Sequence, residues 1–340
     1  MTIPVKSRME DGLIIPPNHL ELIATDHCNL TCRGCNHASP AAASWLADPE
    51  TVGRDFSILA NHYRPRKVKV LGGEPLLHRG LAAVIRAARS TGISDYFLLV
   101  TNGVLLEQMD DAVMEAIDEL EISLYPGVER RAEILAVAQR KSLQFGTLLT
   151  VNEYVNFRGG IATRGTDNVE LVRKIYQTCK IANLWGCHAV REGYFYKCPQ
   201  SIYIPGLVQG INGVAADRIR IEGMDDFQTR LLAFVNSPEP LHCCTYCVGT
   251  VGKLEPHALI RRARWKLEVE KASSELIDYD WLERSVIKQD EYDDCKIETR
   301  VESSTAFGAS LQTRRLSVPH RQSAADAQEE MAIQARLESH

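Results

Sequence analysis

The stretch IATDHCNLTCRGCNHASP, residues 23–40, carries Cys28, Cys32 and Cys35 in the spacing C-x3-C-x2-C within eight residues. Just upstream, His19-Leu20-Glu21-Leu22-Ile23-Ala24 is apolar and alternating enough to form a buried strand. Asp26, His27, Asn29 and Gly34 are turn formers. The three thiols are therefore expected on a loop leaving the C-terminal end of a strand, where α/β folds place their chemistry.

Three thiols so close together narrow the chemistry. A disulfide uses two, and the loop is too short to bridge cleanly. A closed zinc site takes four ligands. Three thiolates suit an iron–sulfur cubane in which one iron keeps no protein ligand. At this point zinc and a cluster both stand.

Working outward, residues 18–185 alternate short apolar runs with helix-length segments. Strands are expected at His19–Ala24, Lys67–Leu71, Tyr96–Val100, Leu120–Leu124 and Leu143–Val151. Helices are expected at Thr51–His62, Gly80–Thr91, Asp110–Glu119, Val128–Arg140 and Asn168–Thr178. Repeated βα units predict a parallel sheet with helices outside, curved into a partial barrel.

The loops past these strands hold the next candidates. Gly72-Gly73-Glu74-Pro75 follows the second strand. Its glycines allow close backbone approach to a ligand, and Glu74 offers a carboxylate to an ammonium group. Thr101-Asn102-Gly103 follows the third strand and Ser123 ends the fourth. Each alone reads equally as an ordinary turn or strand end.

Together, the C-x3-C-x2-C loop, the GGEP run and the TNG turn resemble the signature of the radical S-adenosylmethionine (SAM) superfamily. That resemblance implies a partial (β/α)6 barrel over residues 18–185 and a [4Fe–4S] cluster on Cys28, Cys32 and Cys35. It also implies SAM contacts at Gly72, Gly73, Glu74, Asn102 and Ser123. One departure stands out. Many members carry a bulky residue before the third cysteine, near the adenine, and here it is Gly34, with His37 a candidate to cover that face.

A second set of cysteines lies beyond a cysteine-free body. Cys187 and Cys198 bracket a hairpin turn at Gly193, and Cys243, Cys244 and Cys247 follow in LHCCTYC. Hairpin plus C-x2-C supplies Cys187, Cys198, Cys244 and Cys247, a usual four-thiolate zinc set. Behind a radical SAM core the same pattern is similar to a twitch-type module holding one auxiliary [4Fe–4S] cluster. Cys179 is an alternative to Cys187 but lacks its hairpin spacing, and Cys295 is the last cysteine in the chain. Cys243 is surplus, readable as a buried small side chain or as a hydrogen-atom donor to a substrate radical.

This divides the chain into a lead (1–17), a radical SAM core (18–185), a twitch-like module (186–255), a C-terminal helical segment (256–298) and a mobile tail (299–340). Within the fourth part a charged helix is expected at Ile260–Leu276, with Arg261, Arg262, Arg264 and Lys266 on a solvated face. In the tail a marginal helix is expected at Ala324–Leu337.

Composition sets the outer limits. The chain has 340 residues, 45% hydrophobic and 24% charged, with a net charge of −5. That is ordinary for a globular protein with a substantial core and gives no electrostatic reason to expect nucleic acid or a membrane surface as partner. The N-terminus lacks the apolar region of a signal peptide, and no run reaches the ~18–20 apolar residues of a membrane span. A cytoplasmic protein is expected, where its ten cysteines serve as metal ligands or catalytic groups rather than disulfides.

The resemblance implies an enzyme that cleaves SAM reductively with one electron from a flavodoxin or ferredoxin. The resulting 5′-deoxyadenosyl radical takes hydrogen from a small molecule. Only about seventeen residues precede the first strand, so no N-terminal leader-binding domain is expected. A sugar, aminoglycoside or sugar nucleotide of natural-product biosynthesis is the expected substrate, altered by epimerisation, dehydrogenation or dehydration. A peptide-modifying maturase is the enzymatic alternative, and a zinc-binding structural protein the alternative outside enzymes.

Overall fold

The computed structural model describes residues 6–208, 211 and 215–285, together with the backbone of 296–301. The expected tail helix at 324–337, and Cys295, lie outside the described residues.

Five parallel strands form the centre: β1 (His19–Thr25), β2 (Lys67–Gly72), β3 (Phe97–Thr101), β4 (Glu119–Leu124) and β5 (Leu148–Tyr154). Every residue of β1 is buried, which suits its apolar and β-branched sequence at the middle of a sheet covered on both faces. A sixth parallel strand, β6 (His188–Arg191), joins at the free side of β1. It turns back into β7 (Tyr194–Tyr196), which pairs antiparallel with β8 (Arg218–Arg220). At the other edge β9 (Lys296–Val301) runs antiparallel to β5. The nine-strand order is therefore β8-β7-β6-β1-β2-β3-β4-β5-β9, an open sheet among the described residues. The expected parallel α/β core is present, and one sheet carries it through into the hairpin.

Helices α1 (Pro49–Ala60), α2 (Leu81–Arg89), α3 (Asp111–Met114), α4 (Arg131–Phe145) and α5 (Val169–Thr178) follow successive strands. Helix α1 starts where Asp48 accepts the Thr51 N–H at 2.8 Å, with Pro49 in the first turn. Its Val52, Phe56 and Leu59 pack on the core with Val84, Ile85 and Ala88 of α2. The N-terminal lead also docks here. Its hairpin, Arg8–Glu10 against Leu13–Ile15, buries Ile14 completely, and the Ile14 N–H donates to the His62 carbonyl.

Three element boundaries differ from the sequence expectation. The helix expected at 110–119 ends at Met114, because Glu119 belongs to β4. The Glu119 carboxylate accepts the Tyr96 hydroxyl at 2.9 Å and the Thr150 hydroxyl at 2.7 Å. Helix α4 runs on to Phe145 and stops at the left-handed Gly146, so β5 starts at Leu148 rather than 143. The expected helix at 260–276 is two helices, α6 (Arg262–Val269) and a short turn at Ser273–Leu276. Between them, residues 269–272 lie along 163–165, accepting the Thr163 N–H on Val269 and the Arg164 N–H on Lys271. That pairing takes the backbone groups that would have continued the helix. The cations of α6 are exposed as expected, with Arg264 paired to Glu268 at 3.0 Å.

Candidate functional site: a thiol-lined cavity inside the sheet

A cavity of about 370 Å³ opens at the C-terminal ends of the parallel strands. Cys28, Cys32 and Cys35 line one end of it. The loop that carries them is held from behind by a distant segment. The Arg33 N–H donates to the Ala258 carbonyl at 2.8 Å, and the Ile260 N–H donates to the Thr31 carbonyl at 2.9 Å. Burial pushes all three thiols up, Cys28 to about 12, and repulsion from the neighbouring thiols adds to it for Cys28 and Cys32. Three neighbouring thiols in this state bind a cationic centre by releasing their protons. The donor set fits a cluster held by three thiolates and open towards the cavity.

Gly72 and Gly73 line the cavity beside this loop. A Cβ on Gly73 would sit 2.1 Å from the His27 carbonyl oxygen, and one on Gly72 would sit 2.1 Å from that of Thr25. The Gly73 N–H donates to the Thr25 carbonyl at 2.8 Å and the Glu74 N–H to that of His27 at 2.9 Å. Here glycine is dictated by the close approach of the two loops.

Glu74 is hydrogen-bonded within the protein. Its carboxylate accepts the Thr101 hydroxyl at 2.6 Å, the Asn102 N–H at 2.9 Å and the Leu76 N–H at 3.0 Å, and it is buried behind the cavity wall. Burial raises its pKa, against those three hydrogen bonds. These bonds clamp the GGEP turn to the TNG turn. Asn102 completes the link, donating to Asn29 Oδ1 at 2.8 Å and to Cys28 Sγ at 3.7 Å. Both Asn102 and Ser123 line the cavity.

The Gly34 departure has a structural reason. Gly34 has φ +67°, and a Cβ there would meet Gly159 Cα at 3.4 Å and Phe157 Cβ at 3.5 Å. The bulk comes instead from other segments. Tyr125 stacks on His257 at 4.8 Å between ring centroids, with Phe157 edge-on at 5.7 Å. Tyr125 and Phe157 line the cavity. His37 lines it as well, edge-on to Tyr203 at 5.3 Å. The Tyr125 ring was missed in the sequence, although it stands two residues past Ser123 on the same strand parity.

Part of the cavity wall is polar. Glu21 from β1, Lys69 from β2 and Glu121 from β4 line it, as does Cys187. The Lys69 ammonium lies 3.4 Å from Glu121. Burial opposes its charge, but Glu121 and Glu21 more than offset this and hold its pKa up. Glu21 is likewise buried against its charged form, yet the His19 contact brings its pKa below the ordinary value.

A second, small pocket is lined by a second group of thiols. Cys179 at the end of α5, Cys198 after β7, and Cys243, Cys244 and Cys247 on the turn His242–Tyr246 line it. Cys187 lies elsewhere. Along β6, Val190 faces the helix-covered core while Ala189 packs with Ile23, Leu71 and Tyr196. Cys187 shares the parity of Ala189 and points into the main cavity. The four cysteines expected as one ligand set thus do not line one pocket, and Cys179 lines the second with Cys198, Cys244 and Cys247. The informative signal was this period-2 alternation, not the spacing around Gly193.

Cys243 fits the reading of a buried small side chain. Its thiol is 1% exposed and faces the second pocket rather than the cavity. The Asp217 carboxylate accepts the Cys243 N–H at 2.8 Å and the His242 N–H at 2.5 Å, fixing the turn in that orientation.

Residues 22–143 match the radical SAM superfamily. That match agrees with the parallel core and the three-thiol loop. It is 32% identical over 108 residues to the GTP 3′,8-cyclase of Chlorobaculum tepidum, covering 32% of each protein. It is 37% identical over 123 residues to that of Heliobacterium modesticaldum, covering 34% of this chain and 36% of that one. The chain spans about a third of the length of these curated relatives. Among solved structures, BtrN in complex with AdoMet and 2-DOIA is similar with a TM-score of 0.43 and 15% identity, covering 69% of this chain and 94% of that one. SuiB of Streptococcus suis is similar with a TM-score of 0.31 and 16% identity, covering 40% and 33%. No helix among the described residues is long and apolar enough to cross a membrane.

Proposed function

We propose that the chain is a radical SAM enzyme acting on a small, hydrogen-bond-rich molecule such as a sugar, aminoglycoside or sugar nucleotide. One observation carries this reading: a single cavity is lined both by the three-thiol loop and by the polar groups Glu21, Lys69, Glu121 and Cys187. A cluster on Cys28, Cys32 and Cys35, with SAM bound beside it, supplies a strong hydrogen-atom abstractor when reduced by a flavodoxin- or ferredoxin-type donor.

The residues of the chain do the rest. Gly72 and Gly73 bring bare backbone to the SAM side of the cavity, with Asn102 and Ser123 along the same wall. Tyr125 and Phe157 provide aromatic faces for a flat base and exclude water. Glu21 and Glu121 accept hydrogen bonds from hydroxyl or ammonium groups, and Lys69 donates one. Such paired donors and acceptors favour a polyol or amine over an apolar substrate.

Cys179, Cys198, Cys244 and Cys247 are proposed to hold an auxiliary [4Fe–4S] cluster in the second pocket. This makes Cys179 the boundary of the auxiliary module, ahead of the hairpin at 186. Four thiolates close that site, so it transfers electrons rather than anchoring substrate. The reaction is expected to be an epimerisation, dehydrogenation or dehydration. Anaerobic reconstitution followed by dithionite and SAM tests the core of this reading. Release of 5′-deoxyadenosine supports it; a colourless protein loaded with zinc overturns it.

A further inference from the structure

Three side chains of metal-ligating type meet on β1 and just before β6, outside both thiol groups. His19 and Glu21 stand two residues apart on β1 and so share a face of that strand. His188 of β6 is the register partner of Leu20, which brings Cys187 alongside His19. The Cys187 sulfur, a Glu21 carboxylate oxygen and a His19 ring nitrogen all lie within 4.8 Å of one another. His19 and Glu21 are 7% and 5% exposed, and Glu21 and Cys187 line the main cavity.

The spacing suits one small cation. Zinc bonds of about 2.0–2.1 Å to nitrogen and oxygen set tetrahedral ligands about 3.3–3.4 Å apart. His19 Nε2 already lies 3.3 Å from Glu21 Oε1. The Cys187 thiol is hydrogen-bonded to the Glu21 side chain, so a metal would replace a proton that bridges two of the ligands. Charge favours the exchange. Two buried carboxylates, Glu21 and Glu121, act on one ammonium, that of Lys69. With His19 neutral, as a ligand must be, the group holds one negative charge in excess. A divalent ion that displaces the thiol proton balances it.

We propose that His19, Glu21 and Cys187 form a mononuclear zinc site. One imidazole, one carboxylate and one thiolate make a donor set that suits Zn²⁺ and not Mg²⁺ or Ca²⁺. Three protein ligands leave a fourth position, on the side that Glu21 and Cys187 line, for water or for an oxygen or nitrogen of a molecule in the cavity. This goes beyond the radical SAM reading and does not rest on it, because none of the three residues belongs to either thiol group.

The test reconstitutes the full chain anaerobically with iron and sulfide, adds zinc, strips loosely held metal with a chelator, and counts zinc and iron. About one zinc per chain is expected, with X-ray absorption at the zinc edge showing one sulfur among nitrogen and oxygen neighbours. His19→Gln and Cys187→Ala should each lower bound zinc about tenfold while keeping the iron content of the native chain. A native chain with less than about a tenth of a zinc, zinc unchanged in both variants, or zinc surrounded by sulfur alone overturns the proposal. So does a fall in iron in Cys187→Ala, since that residue would then be a cluster ligand. A chain that takes up no iron, yet still loses one zinc in each variant, supports this site and strikes instead at the radical SAM reading.

Discussion

The two thiol sites differ in number of ligands and in what surrounds them. The loop at 28–35 sets three thiols at the mouth of a cavity of about 370 Å³, beside glycines, an amide and an aromatic wall. The second site sets five thiols around a void of about 20 Å³, enclosed by Ile175, Ile181 and Leu241. Three ligands with an open side make a place where chemistry happens. Four ligands in an apolar shell make a place that passes or stores charge. The contrast supports the proposal that the first site serves SAM and the second an auxiliary cluster.

Replacing Cys28, Cys32 and Cys35 together with Ala is expected to have the largest effect. Iron should fall from about eight to about four per chain, and 5′-deoxyadenosine should vanish. Comparable activity in that variant would erase the distinction between the sites. Next, Cys179→Ala should also leave about four irons, this time those of the loop. An unchanged iron content in Cys179→Ala would return the fourth auxiliary ligand to another cysteine.

Smaller effects probe how the open site is built. Gly73→Ala forces a methyl group into the His27 carbonyl and should cost about 3 kcal/mol or more in denaturant unfolding, with poor cluster uptake. Glu74→Gln puts an amide where the carboxylate accepts three hydrogen bonds, and should cost about 1–3 kcal/mol. A stability change near zero there would show the carboxylate to be free for ligand. The smallest effect concerns His257, whose ring nitrogens have no partners and whose pKa burial lowers to about 4. The unfolded chain binds a proton there at higher pH than the folded one, so this contribution is present above about 6.5 and fades as pH falls towards 4. His257→Phe should make thermal melting less sensitive to acidification over that window.

The first site was legible because its three ligands share one loop and its partners follow successive strands at regular intervals. Glu74 was visible as a motif but its hydrogen bonds were not, since its partners Thr101 and Asn102 arrive from another βα unit. The second site was harder to read. Its thiols come from a helix end, a strand end and a turn, and spacing around Gly193 pointed to Cys187. Only the pairing of β6 with β1 shows that this side chain faces inward. The aromatic wall drew on three segments, Tyr125, Phe157 and His257, which no local pattern connects. Boundaries slipped where tertiary partners overrode local propensity, as when Glu119 joined Tyr96 and Thr150 inside the sheet.

The most direct test of the two-site account is anaerobic reconstitution of the native chain and of the variant lacking Cys28, Cys32 and Cys35, with iron counted and SAM cleavage followed. A brown native protein absorbing near ~400 nm with about eight irons, and a variant keeping about four but making no 5′-deoxyadenosine, is the predicted result. A colourless native protein holding zinc, or SAM cleavage that survives loss of the three-thiol loop, would contradict it.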